Sequence, residues 1–331
     1  MESSLFNLVQ RYGSLSISGM CKNAGKTTAL NSLVKNYPEN ETLALTSIGW
    51  DGEKTDTVTG TEKPGIYVRE GSLFATSEKL LRSCDVTKEI LETTGISTPL
   101  GEVVLVRALS DGNVQLAGPS IVVQLIGISK LFREHGASRT IIDGAVGRKT
   151  LCSRALAEAT VLCAGASYSP SMEETIAEAA HMCSILTTAE LPELKQQMGE
   201  GQPNGKYIII GQENRHLPDE ADILAEIKQS KAPRCLYIEG ALTDSMLDPL
   251  VRSGLLREMK IATRDASRLL ISRESSRKLK AAGGELAVLE SINLAAVTIN
   301  PYSAYGNHYH REMFMTRMKA AVPLPVVDVR E

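Results

Sequence analysis

Short apolar runs alternate with stretches of helical period along most of the chain, a rhythm that predicts a mostly parallel sheet covered by helices. The run 14–18 leads into a glycine-rich turn, and 27–35 follows with Leu30, Leu33 and Val34 on one helical face. A second strand is predicted at 42–48, ending in Gly49-Trp50-Asp51-Gly52. The signal is mixed between about 55 and 120. There the pattern suggests a helix at 77–84, a helical turn at 90–94, and a hairpin pairing 101–108 with 113–117 around Ser110-Asp111-Gly112. An amphipathic helix at 122–134 and a buried strand at 139–142, ending at Asp143, resume the rhythm.

The second half repeats it. A strand is predicted at 159–164 and a helix at 172–185, opened by Ser169 or Ser171. Residues 190–205 read as polar, and as loop-like at their C-terminal end. Buried runs follow at 206–210, 234–238, 260–263, 268–271, 295–299 and 326–329, with a helix from Ser245. No solenoid period and no strong linker interrupts the pattern. The expectation is a single α/β domain over 1–331, with an inserted hairpin region at about 55–120.

Composition narrows the class. The 331 residues include 43% hydrophobic positions, enough for a large core, and exclude a disordered or coiled-coil chain. With 36 Lys+Arg against 39 Asp+Glu the net charge is −3, which argues against a general nucleic-acid binder; 4% aromatics argue against a stacking platform for single strands. The N-terminus lacks the basic-then-apolar order of a signal peptide, and no run approaches the roughly 18 apolar residues of a membrane span. Six scattered cysteines form no CxxC pair. They read as reduced core residues of a cytoplasmic protein with no membrane association.

The chemistry concentrates at Ser18-Gly19-Met20-Cys21-Lys22-Asn23-Ala24-Gly25-Lys26-Thr27-Thr28, between the first strand and the first helix. That is the context of a phosphate-binding loop, where small residues let backbone N–H groups turn toward phosphate oxygens and the helix N-terminus adds partial positive charge. Lys26 would reach the β- and γ-phosphates and the Thr27 hydroxyl would ligate Mg²⁺. The motif departs from G-x-x-x-x-G-K-[ST] by one residue: Met20 stands five before Gly25, and Gly19 precedes it. Asp51, after the second strand, is a candidate for holding Mg²⁺ or orienting the attacking water, with Glu53 in support. Asp143, ending a β-branched strand, fits the carboxylate that acts on Mg²⁺ beside a phosphate loop. Arg148 and Lys149 either add charge near the phosphates or face solvent. Asn300 either reads the base or simply ends a strand before Pro301. No Asn-Lys-x-Asp guanine motif occurs, which favours ATP. His308 and His310 lack partners at ligand spacing and read as surface residues.

The run Lys22-Asn23-Ala24-Gly25-Lys26-Thr27-Thr28 resembles the deviant phosphate loops of P-loop NTPases such as the molybdopterin-guanine dinucleotide accessory protein and the MinD-type ATPases. The resemblance implies a P-loop NTPase fold. It also raises a homodimer in which a second lysine acts across the interface, though Lys22 sits one residue too close to Gly25 for that pattern, and a solvated Lys22 is the alternative. The ordered segments TSIGWDGE, IIDGAVGRK, EGALTD and TINPYS span almost the whole chain. They are similar to the ATPase reactivase subunit associated with adenosylcobalamin-dependent lysine aminomutase. That likeness implies an ATP-driven, chaperone-like factor that releases damaged cobalamin, with the aminomutase and a MutS-like subunit as partners. A small-molecule kinase or ligase, a nucleotide-dependent cofactor-delivery protein, and a nucleotide-binding module without hydrolysis are the other readings open at this point.

Overall fold

The computed structural model describes residues 4–49, 65–144, 152–198, 206–218 and 222–330. The chain divides into two compact units, one of Met1–Ala180 with Asn293–Glu331 and one of His181–Ile292. A single domain was expected. The division follows from the sheets: each unit closes a hydrophobic core around its own sheet.

The first unit is built on β1 (Ser14–Gly19), β2 (Leu43–Ser47), β3 (Leu73–Ser77), β4 (Lys88–Thr98), β5 (Gly101–Ala108), β6 (Arg139–Asp143), β7 (Ala159–Gly165), β8 (Leu294–Asn300) and β9 (Val326–Asp328). Their order across the sheet is β9-β8-β7-β1-β6-β2-β3-β5-β4. All pairs from β9 to β3 are parallel, and β5 and β4 add an antiparallel edge. Helix α1 (Lys26–Asn36) buries Leu30, Leu33 and Val34 in the same cluster as Leu15, Ile17 and Leu45. Helix α2 (Val122–Glu134) covers the other face, where Ile128 and Phe132 meet Ala44, Leu73, Ala75 and Leu105. Both faces of the parallel strands are therefore dry, which is why these strands read as continuous apolar runs.

The 55–120 region corrects several expectations. Residues 90–94 belong to strand β4, not a helical turn: Thr93, Thr94 and Ile96 favour extended backbone, and the Arg107–Glu89 ion pair (3.1 Å) links β5 to β4. Strand β5 does not form the expected hairpin across Asp111. It pairs with β3 and β4, while Gly112–Val114 pairs antiparallel with Ile66–Val68. The Asp111 carboxylate accepts from the Tyr67 hydroxyl (2.6 Å) and the Glu70 N–H (2.9 Å), so the turn residue ties two loops together. The 77–84 helix is reduced to a 3-10 helix, Glu78–Ser83. The region thus extends the main sheet, with β3, β5 and β4 completing its edge.

In the second unit, Cys235–Ile238, Lys260–Asp265 and Glu285–Glu290 are parallel, and Tyr207–Ile210 and Arg215–Leu217 add antiparallel strands. The polar segment after residue 190 opens with the helix Pro192–Met198; proline suits a first helical position, and Leu194 buries itself against Ile208, Tyr237 and Ala262. Among the described residues no helix is long and apolar enough to cross a membrane.

Candidate functional site

The site lies at the C-terminal edge of the first unit's parallel strands. From β1 the chain passes through α1 to β2 on one side, and from β6 it crosses to β7 on the other. Open α/β sheets hold their ligands at such a switch point. Register fixes what stands there. Asn300 lies opposite Gly165, Cys163 opposite Gly19, and Ile17 opposite Asp143, which is itself opposite Ser47. Side chains of registered parallel neighbours share a face. Asp143, Cys163, Thr298 and Asn300 thus lie on the face that packs α1.

The loop 20–25 is shaped by backbone geometry. Gly25 caps α1 at φ 98°, and Asn23 also adopts a left-handed conformation at φ 61°. Alternation of left- and right-handed residues turns successive N–H groups toward one side, the geometry of an anion nest. Gly25 offers no side-chain cap to the first turn of α1, whose N–H groups face the loop. A Cβ on Gly19 would fall 3.0 Å from Lys26 Cδ and 3.1 Å from Nζ, so the lysine side chain folds back across the end of β1 and holds its ammonium over the loop. A Cβ on Gly165 would meet Ala24 Cα at 2.8 Å, so only glycine lets β7 approach the loop this closely. The extra residue relative to the usual motif is accommodated between Gly19 and the left-handed Asn23.

Two thiols report the local charges. Burial pushes the Cys163 thiol up to about 11, opposed by its hydrogen bond with Thr298 and by the Lys26 ammonium, and reinforced by the Asp143 carboxylate. Cys21, in the loop itself, is raised to about 11 by burial against the pull of Lys26. A cation and an anion therefore flank the buried Cys163 from α1 and β6. Thr27 and Asp143 offer hydroxyl and carboxylate oxygens, the hard donors suited to Mg²⁺ when phosphate oxygens and water complete the shell. Among the described residues no group of three His, Cys, Asp or Glu forms a metal site.

Asn300 has a different place from that of a free base reader. Its Nδ2 donates to Asn23 O (3.1 Å), its Oδ1 accepts from the Tyr302 N–H (3.3 Å), and its Cβ rests 3.1 Å from where a Gly25 Cβ would be. It is the strut between β8 and the loop. Asp51 and Glu53 lie outside the described residues, as do Arg148 and Lys149. The segment leading toward Asp51 is clamped: Ile48 N–H donates to Asp143 O (3.1 Å), and Gly118 N–H donates to Ser47 Oγ (3.2 Å). A Cβ on Gly118 would fall 1.9 Å from Ser47 O. His308 accepts the Ser303 N–H (3.3 Å) and His310 caps the helix Arg311–Ala321, so both are loop and helix ties. Sequence reading took Cys163 only as a reduced core thiol; its place beside the loop arises from register alone.

No family model, curated protein or solved structure matches the chain.

Proposed function

We propose that the chain binds a nucleoside triphosphate, with ATP favoured, together with Mg²⁺, and hydrolyses it. The observation that carries this is the folding of Lys26 over Gly19 beside a loop with two left-handed residues at a helix N-terminus. That arrangement suits a chain of phosphates and little else, because it presents an ammonium and several N–H donors to one point. Lys26 would neutralise the β- and γ-phosphate oxygens and hold them in line for attack. Thr27 and Asp143 would hold the Mg²⁺, which when bound draws charge from the β- and γ-oxygens. Asp143 also carries the backbone oxygen that anchors Ile48, so a change at its carboxylate is felt by the segment approaching Asp51.

The finer reading, resting on the likeness of the ordered segments, is a chaperone-like reactivating factor. Hydrolysis would relax the segments after β2 and β6, and that relaxation would open a cobalamin-dependent aminomutase with a MutS-like subunit. The experiment measures ATP hydrolysis by the wild type, Lys26→Ala and Asp143→Ala, each alone and with the aminomutase. Loss of hydrolysis in both variants and stimulation by the aminomutase are expected. Unchanged rates in the variants would overturn the site. ADP release that depends on an added metabolite would replace hydrolysis by a kinase or ligase reaction.

A further inference from the structure

The phosphate loop fixes one end of a nucleotide, and the remaining question is what holds the base. Polarity comes first. Asp143 stands on β6, to one side of β1, while β7, β8 and β9 all lie to the other. With the cation and the γ-phosphate drawn to the Asp143 side, the nucleoside end runs toward the loops that follow β7, β8 and β9. On that side Asn300, the residue most obviously polar enough to read a base, already has its amide engaged with the loop and with Tyr302.

Tyr302 itself is the second observation. Its ring is 45% exposed, yet it is held. The backbone N–H is donated to Asn300, one hydrogen bond from the phosphate loop. The His308 ring meets it edge-on with centroids 5.5 Å apart, and the Arg330 guanidinium, just beyond β9, sits 4.5 Å from its centroid. Exposed tyrosines are common, but one fixed by neighbours on two loops loses little freedom when a flat ligand settles on it. We propose that Tyr302 is the stacking platform for the base of the bound purine nucleotide, the base taking the ring face opposite the one that Arg330 covers. Every base has a π-face, so this contact adds affinity without demanding a particular hydrogen-bonding edge. It also accounts for nucleotide recognition in a chain with no guanine-reading motif.

The inference rests on the nucleotide reading of the phosphate loop, and the experiment separates the two. Titration calorimetry of the full chain with Mg·ATP and with Mg·tripolyphosphate, which has no base, is carried out on the wild type, Tyr302→Ala and Tyr302→Phe. Tyr302→Ala should bind ATP about tenfold more weakly and tripolyphosphate within about twofold of wild type, while Tyr302→Phe keeps both affinities. ATP affinity unchanged in Tyr302→Ala overturns the platform, and so does an equal loss for both ligands, which would make Tyr302 a support for Asn300. Equal wild-type affinity for the two ligands overturns the platform and leaves the phosphate loop standing. A wild type that binds neither overturns both.

Discussion

Replacing Asn300 by alanine isolates the strut from the rest of the site. The Cβ that rests against Gly25 stays, and the amide goes, taking with it the bonds to Asn23 O (3.1 Å) and from Tyr302 N–H (3.3 Å). Each such bond is worth about 1 kcal/mol net, and only the one to Asn23 O reaches the loop, so the amide holds the loop by about 1 kcal/mol. Asn23 is where the loss is felt. It is held at φ 61°, a conformation that costs a non-glycine residue about 1 kcal/mol and persists because its surroundings impose it. If the loop relaxes, its binding-ready form is disfavoured by at most that 1 kcal/mol, which sets a ceiling of about fivefold on the loss of affinity. The loss belongs to the phosphate cradle, so Mg·ATP and Mg·tripolyphosphate should weaken by the same factor in titration calorimetry. A variant that loses ATP affinity but binds tripolyphosphate like wild type would refute the strut and return Asn300 to reading the base.

Further outcomes follow from the same geometry. Lys26→Ala should lower hydrolysis by at least about 100-fold in a phosphate-release assay while the thermal midpoint barely moves, since Lys26 is only half-buried; a large drop in midpoint would instead make Lys26 structural. Gly118→Ala drives a methyl to 1.9 Å from Ser47 O, so the backbone must move at a cost of about 1–3 kcal/mol, read as a fall of several degrees in midpoint; an unchanged midpoint contradicts the clamp. The thiols give a pH dependence. Burial raises Cys21 and Cys163 from 9.0 to about 11, so the folded chain holds them neutral where the unfolded chain ionises them. That contribution is complete below pH 9 and is lost as pH rises from 9 to 11, and calorimetry across this window should show the midpoint falling; a rise would reverse the sign of the burial effect.

The alternation of apolar runs and helical periods determined most of the first unit. The strands β1, β2, β6, β7 and β8 and the helices α1 and α2 were legible because each buries a face and so carries its own period. The loop 19–25 between β1 and α1 was legible for a related reason: its signal is local, carried by consecutive residues between one strand and one helix. In the 55–120 region the strand 101–108 was legible but its pairing was not, and β3 and β4 were missed, because they are defined by their partners. A short mixed stretch such as 90–94 becomes strand only when β5 lies beside it. The second unit's separate sheet was hidden for the same reason, as apolar runs do not state which sheet they join.

What the tertiary structure alone decided is how the edge of the sheet is furnished. Placing β6 between β1 and β2, and β7 and β8 beyond β1, brought Asp143, Cys163, Thr298 and Asn300 to one face, although up to 277 residues separate hydrogen-bonded partners such as Asn300 and Asn23. Strand order is a property of which surfaces pack, and no local pattern encodes it. The sequence by itself determined that a glycine-bearing loop ending in Gly25-Lys26-Thr27 joins the first strand to the first long helix. The fold decided that Asn300 holds that loop, that Gly118 clamps the strand beside Asp143, and that Tyr302 stands exposed beside Asn300.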